Sequence, residues 1–380
     1  MVRKVLYVTG TRADFGLMAS TLRQIADHPQ LELQIAVTGM HLSETYGLTV
    51  RDIEAEGLPI VARIPTNVED RSPASMAQGI GEAVIGLTRA LGEARPDLAV
   101  VIGDRGEMLA GAIAALHLGI PIVHLHGGER SGTVDEPVRH AITKLSHWHF
   151  VATEQSRERV VRMGEREDRV WITGAPSLDD LELHGARPRA DVLRALGLPA
   201  QSRFVLVLFH PVVQEMNDAA RQTEALAQAL RETLADSSTH IVWLAPNADA
   251  GSAAILEALD QLGGERLHRV THLPRPHFVA ALRHADALVG NSSAGIIEAA
   301  SFGTPVVNVG NRQRSRERNR NTIDCESDRA AIAAAIAQSL AHGRYPASNV
   351  YGDGKSGARI TQLLATLPIE ADLLDKINTY

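Results

Sequence analysis

Residues 124–140, HLHGGERSGTVDEPVRH, bring together three histidines, two arginines, three carboxylates and three glycines directly after an apolar run, GIPIV. Side chains of these types move protons, grip anions or hold metals. In a strand, His124 and His126 would share a face. The GGE turn then delivers Glu129. Asp135, Glu136, Arg139 and His140 span the start of the next helix, with Asp135 as candidate cap and Arg139 four residues further along that face. Zinc is the competing reading of the same cluster. No HxxxH pair sits on a helix, and HWH at 147–149 reads as a buried strand with outward histidines, so proton transfer suits the cluster better.

Other stretches carry chemistry of a second kind. GNSSAGIIEAASFGTPVVNVG, residues 290–310, ends a strand at Gly290 and puts Asn291, Ser292 and Ser293 where a helix starts. Hydroxyls and free N–H groups there bind anions, and the helix dipole adds to the attraction. Glu298 follows where it could accept hydrogen bonds from ribose hydroxyls. Locally, the pattern fits a phosphate cradle and an ordinary N-cap equally well. GTRADFG, residues 10–16, places Arg12 to meet a phosphate or to bridge domains, with Asp14 beside it. Its DFG has no kinase partners elsewhere in the chain.

GDRGE, residues 103–107, offers Asp104 as acid or base beside Arg105, or as half of a local ion pair. TGMH supplies Met40 and His41, FHP supplies His210, and PNADAGS supplies Asn247, Asp249 and Ser252. The basic loop NRQRSRERNRN, residues 311–321, includes Arg312 and is either phosphate-attracting or a solvated face. Neither GxxxxGK[ST] nor a post-strand GxGxxG occurs, which disfavours an ATPase loop or a hydride-transfer fold.

These stretches need strand ends to position them, and the chain supplies strands. Short β-branched runs (KVLYVTG, LELQIAVTG, LPIVARIP, DLAVVIGD, IPIVHLHG, HWHFVAT, RVWITG) alternate with helical periods, then FVLVLFHP, HIVWLAP, LHRVTHL, ALVGNSS and PVVNVG repeat the scheme. Runs apolar on both faces, joined by helix-length connections, make parallel sheets covered by helices. A Pro- and charge-rich break at 181–203 reads as a linker plus a short helix. The expectation is an α/β protein of two doubly wound Rossmann-like domains facing across a cleft. Residues 1–180 form the first, 181–355 the second, and 356–380 a C-terminal helix free to pack on the N-terminal domain. Ligands of such sheets lie outside the carboxyl ends of the strands, where all the stretches above fall.

Composition bounds the rest. A chain of 380 residues with 44% hydrophobic and 22% charged residues is globular and large enough for two cores. Its net charge of −7 argues against nucleic acid or an anionic membrane as main partner. No apolar run is long enough to span a bilayer, and the N-terminus reads as a first strand, not a signal peptide. The single cysteine, Cys325, excludes an intrachain disulfide and fits a reducing cytoplasm. Apolar helices such as AAIAAAIAQSL would permit a dimer or tetramer.

Taken in order, YVTGTRADFGLM, AVTGMHLSETYG, GDRGEMLA, HLHGGERSGTVDEPVRHAITKLSH, FHP, PNADAGS, GNSSAGIIEAASFGTPVVNVGNRQ and YPASNVYGDG resemble the hydrolysing UDP-N-acetylglucosamine 2-epimerases of sialic- and legionaminic-acid biosynthesis. The resemblance covers nearly the whole chain. It implies a GT-B-like fold, a UDP-sugar held between the domains, and no metal or nicotinamide. It places the acid–base set on Asp104, Glu129 and Asp135, with Arg139 in support and His210 near the departing diphosphate. It puts Ser292, Ser293 and Glu298 on the nucleotide and Arg12 near the phosphates. Related enzymes carry glutamate where this chain has His126, which leaves open which group moves the C2 proton.

The implied reaction removes the C2 proton as UDP leaves C1, giving a glycal, and then adds water to yield the free 2-epimer. One rival substrate is UDP-2,4-diacetamido-2,4,6-trideoxyglucose. Other rivals are a non-hydrolysing epimerase, a GT-B glycosyltransferase and a non-catalytic nucleotide-sugar binder. HGGE in place of HxEAGLR argues against the first of these, and the carboxylates at 104, 129 and 135 argue against the last.

Overall fold

The computed structural model describes residues 2–70, 72–130, 135–235, 238–246, 251–271 and 273–379. The chain divides into two compact units. One comprises residues 1–129, 135–179 and 351–380, the other 130–134 and 180–350.

The first unit is built on seven strands: β1 (Arg3–Thr9), β2 (Leu31–Thr38), β3 (Ile60–Ile64), β4 (Leu98–Ile102), β5 (Ile122–Leu125), β6 (Trp148–Val151) and β7 (Val170–Ile172). They pair in the order β3-β2-β1-β4-β5-β6-β7, and every pairing is parallel. The inner strands β4, β5 and β6 are buried along their whole length, so apart from His124 and His149 their sequences run apolar without alternation. Helices Arg12–Ala26, Pro73–Ala94 and Gly106–His117 cover the faces through Phe15, Met18, Leu22, Leu87, Leu91 and Met108. This is the doubly wound architecture that the strand–helix alternation predicts.

The C-terminal segment belongs to this unit. Asp179 accepts from the N–H groups of Ser356 (2.9 Å) and Gly357 (2.6 Å), starting helix Ser356–Thr366. Ile360 and Leu364 of that helix enter the first core. Further on, Lys376 donates to the Thr143 carbonyl at 3.1 Å and pairs with Glu165 at 2.5 Å.

The second unit repeats the scheme with β8 (Arg203–Leu208), β9 (Thr239–Leu244), β10 (Leu267–Val270), β11 (Ala287–Gly290), β12 (Val306–Val309) and β13 (Thr322–Cys325). Their order is β10-β9-β8-β11-β12-β13, again all parallel. β13 is not legible in the sequence. It is a half-buried edge strand of four residues, TIDC, which follows a basic loop and has no apolar alternation of its own. The 181–203 break contains two short helices, Leu181–Gly185 and Arg189–Ala195, where one is expected. In helix Arg329–His342, Ile332 and Ile336 pack into the second unit's own core, so its apolar stripe is largely used internally. Among the described residues no helix is long and apolar enough to cross a membrane.

HWH at 147–149 departs from expectation. His147 and His149 are buried rather than outward. His147 Nδ1 accepts from the Ile122 N–H at 3.0 Å, and His149 Nε2 lies 3.0 Å from Glu165. Glu165 also takes Lys144 at 2.6 Å. A buried carboxylate with several cationic partners makes a buried histidine acceptable there.

Candidate active site

Each sheet reverses its strand order once, between β1 and β4 in the first unit and between β8 and β11 in the second. Loops at the carboxyl side of such a point form the binding crevice of doubly wound sheets.

In the first unit the organising residue is Arg139, on helix Asp135–Leu145 and only 1% exposed. One arm of its guanidinium donates to the His126 carbonyl at 2.8 Å and lies 3.9 Å from a Glu129 oxygen. The other arm donates to Asp104. Arg139 therefore gathers the loop after β4 and the turn after β5 around one buried charge. A forked, permanently charged donor is the side chain suited to this. Its expected neighbour on the helix face, Asp135, stands in the first turn of the same helix, and the Asp104 carboxylate takes the guanidinium instead.

His124 lies behind this arrangement. Its Nε2 bonds the Gly103 carbonyl at 2.8 Å and its Nδ1 bonds the Thr143 hydroxyl at 3.1 Å. Burial pushes its pKa well below the usual histidine range, so the ring is neutral. Neutral, it donates from Nε2 and accepts at Nδ1.

His124 and His126 do not share a strand face. β5 ends at Leu125, and His126 takes a left-handed backbone with φ 62°. Its Nδ1 meets Glu129. The turn depends on Gly128, φ 73°, where a Cβ would lie 2.2 Å from the Ser156 carbonyl oxygen. Among the described residues no group of three His, Cys, Asp or Glu side chains is arranged to hold a metal.

The loops after β1 and β2 are less available for binding. Asp14 completes a capping box with Thr11, receiving its N–H at 2.7 Å and its hydroxyl at 2.8 Å. Burial raises the Asp14 carboxyl to about 6, against the opposing bonds from Thr9 and Thr11. His41 is held between the hydroxyls of Thr9 (2.9 Å) and Thr49 (2.8 Å), and burial lowers it to about 4. Both side chains brace the loops. Met40 sits half-buried in the short turn Gly39–Leu42. Arg12 opens helix Arg12–Ala26 half-buried, with no hydrogen bond or ion pair to another described residue. Arg105 lies 3.5 Å from Glu107.

In the second unit the reversal point is closed by His210 and Asn291. The His210 N–H donates to Asn291 Oδ1 and the Asn291 amide donates to the His210 carbonyl, both at 2.8 Å. Arg312 (3.2 Å) and Gln313 (3.0 Å) bond the Asn291 carbonyl. Gly290, φ 138°, is required here because a Cβ would lie 2.0 Å from the Leu208 oxygen. Ser292 caps the short helix Ser293–Ile297 through the Ala294 N–H at 3.4 Å. Glu298 is buried and accepts from Arg275 at 2.7 Å. Burial raises its carboxyl, and Arg275 opposes the rise. Ser252 is buried at the start of helix Ser252–Gln261, whereas Asn247 and Asp249 lie outside the described residues.

The structure thus brings Asp104, His126, Glu129 and Arg139 together in one unit. It brings His210, Asn291, Ser292 and Arg312 together in the other. Sequence reading misses Arg275 and Gln313. Arg275 carries no motif, and Gln313 is one polar residue in a basic loop whose Arg318 pairs with Asp324 of β13.

Two doubly wound units, each an all-parallel sheet covered by helices, define a GT-B-like α/β fold. The UDP-N-acetylglucosamine 2-epimerase family model matches residues 23–365, and the chain belongs to that family. It is 45% identical, over the whole of both chains, to the hydrolysing UDP-N,N'-diacetylbacillosamine 2-epimerase of Legionella pneumophila. It is 34% identical to the UDP-N-acetylglucosamine 2-epimerase of Neisseria meningitidis serogroup B, over 93% of this chain and 92% of that one. In fold it is similar to the crystal structure of the N. meningitidis UDP-GlcNAc 2-epimerase bound to UDP-GlcNAc, with TM-score 0.79 and 19% identity over 95% and 99% of the two chains.

Proposed function

We propose that the chain is a hydrolysing 2-epimerase whose substrate is UDP-N,N'-diacetylbacillosamine. It releases UDP and the free manno-configured 2,4-diacetamido sugar, a precursor of a legionaminic-type nonulosonic acid. The observation that carries the reading is the convergence of Asp104, the His126 carbonyl and Glu129 on buried Arg139. A site that only binds an anionic nucleotide gains nothing from extra carboxylates, whereas a reaction that takes a proton from one carbon face and returns one to the other needs them. Full-length identity of 45% to a diacetylbacillosamine enzyme, against 34% to a UDP-N-acetylglucosamine enzyme, favours the diacetamido sugar. UDP-N-acetylglucosamine is the second reading, supported by the Neisseria relative.

The roles divide by unit. Ser292, the Asn291–His210 pair, Arg312 and Glu298 hold the nucleotide and its diphosphate, and Arg12 adds a cation for the phosphates. Asp104, Glu129 and Asp135 form the acid–base set. The C2 proton is not acidic, so charge builds first at C1 as UDP leaves, and fixed donors at the diphosphate lower that barrier. Reaction in the cytoplasm suits Cys325, whose thiol is pushed up to about 12 by burial and the nearby Asp324 and Glu326 charges and so stays unreactive.

The test is NMR of each UDP-sugar with the protein in deuterated water. UDP release with deuterium at C2 of a free manno-configured sugar is expected, faster for the diacetamido substrate. Asp104→Asn should abolish turnover and leave UDP binding nearly intact. Intact UDP-sugar without deuterium would sink the reading.

A further inference from the structure

Elimination across C1–C2 needs a base, and the geometry at the turn after β5 supplies a specific one. His126 is one of five described non-glycine residues with positive φ. That backbone is unfavourable for a residue with a Cβ and persists only where the surroundings impose it. Here they do. The His126 N–H is fixed on the Phe150 carbonyl at 3.1 Å, its own carbonyl on Arg139 at 2.8 Å, and its Nδ1 on Glu129. The ring is 6% exposed, and its Nε2 is buried without a hydrogen-bond partner among the described residues. Leaving a buried ring nitrogen unbonded is a further cost to the fold. Two costs at one residue mark a site shaped for something other than stability.

The pairing also fixes the tautomer. A carboxylate only accepts hydrogen bonds, so the neutral ring carries its proton on Nδ1 toward Glu129 and its lone pair on Nε2. A base oriented by a carboxylate behind it is the arrangement that activates histidine in proton transfer. Arg139 lies close to Glu129 and keeps that carboxylate from standing as an uncompensated charge.

We infer that His126 Nε2, oriented by Glu129, takes the C2 proton in the elimination step. This rests on the proposed function and divides its acid–base set, because Glu129 then acts through His126 as a positioning residue. The Nε2 lone pair forms the new N–H bond. The C2–H electron pair becomes the C1=C2 double bond, and the C1–O pair leaves with UDP. Water then supplies both the hydroxyl at C1 and the new hydrogen at C2. The proton on His126 is the one the net hydrolysis releases to solvent.

His126→Asn is the informative variant. Asparagine tolerates the left-handed backbone and keeps an N–H for Glu129 but has no second nitrogen. UDP release should fall about 10²- to 10⁴-fold. UDP affinity, and hydration of the 2-acetamido glycal offered directly, should stay within about threefold, because neither needs a base at C2. His126→Gly, which adopts the same backbone freely, should regain UDP release with added imidazole in proportion to its concentration. If His126→Asn releases UDP at the wild-type rate, or loses glycal hydration as fully as UDP release, the assignment fails while the function stands. A His126→Gly variant that folds and binds UDP but ignores imidazole also overturns it. A wild-type chain inert toward both UDP-sugars overturns the function reading itself.

Discussion

Asn291 and His210 exchange two hydrogen bonds of 2.8 Å between side-chain amide and backbone, joining the ends of β11 and β8 where the sheet reverses. Each loop then cannot move without the other. Arg312 and Gln313 hold the Asn291 carbonyl from a third loop, which braces the three loops together.

Asn291→Ala should therefore cost both stability and nucleotide affinity. It removes both part-buried bonds that Asn291 makes with the His210 backbone, about 0.5–1.5 kcal/mol each. Urea unfolding should report that loss, and titration calorimetry should report UDP binding weakened by about tenfold or more.

Arg139→Met should be the most damaging change in the first unit. It leaves Asp104 and Glu129 without their shared cation, and breaking a buried pair from one side costs about 3–5 kcal/mol. Arg139→Lys keeps the charge but not the fork. It should fold, bind UDP almost normally and lose about ten- to hundredfold in kcat, measured by coupled UDP release.

His124→Phe fills a similar volume but releases the Gly103 carbonyl and the Thr143 hydroxyl. Asp104 follows Gly103, so loosening that carbonyl shifts the carboxylate. We expect kcat to fall about tenfold at unchanged UDP affinity. Because burial keeps His124 neutral, the remaining activity should keep the wild-type pH profile.

Glu165 sets an acid limit on stability. Burial alone would raise its carboxyl, but His149, Lys144 and Lys376 more than offset that and hold it at about 2, below the ordinary 4.5. A depressed folded pKa stabilises fully above the unfolded value, so this contribution should be lost as pH falls from 4.5 toward 2. Urea midpoints taken across that window should drop for the wild type. Glu165→Gln should be weaker at neutral pH and flatter in the same window.

On the proposed function, Glu298→Ala should weaken UDP binding more than kcat at saturation. Arg275→Ala should destabilise the fold more than Glu298→Gln does, because it leaves the buried carboxylate unpaired. Thermal unfolding of the two variants should rank them in that order.

Twelve of the thirteen strands fall in runs that the sequence displays, the inner ones most plainly because strands buried on both faces must be continuously apolar. β13 escapes because TIDC is half-buried, follows a basic loop and carries a single β-branched apolar residue, Ile323. The candidate site divides in the same way. Strand-end position brings Asp104, Glu129, Asn291 and His210 to notice, since loops after parallel strands carry the chemistry. It does not show that Asp14 and His41 brace loops, that His147 and His149 are interior, or that Glu298 is already bonded to Arg275.

The sequence by itself determined the alternation of elements, the strand ends where chemistry is possible and the family to which the chain belongs, because these follow from local pattern and ordered motifs. Tertiary structure alone decided the partners. Arg139 is four residues from Asp135 and thirty-five from Asp104, yet the distant carboxylate takes it, because parallel strands place loops from far along the chain side by side. The backbone twist at His126 is likewise invisible in the sequence. It is imposed by three bonds from Phe150, Arg139 and Glu129, and only their combined hold keeps a non-glycine residue there.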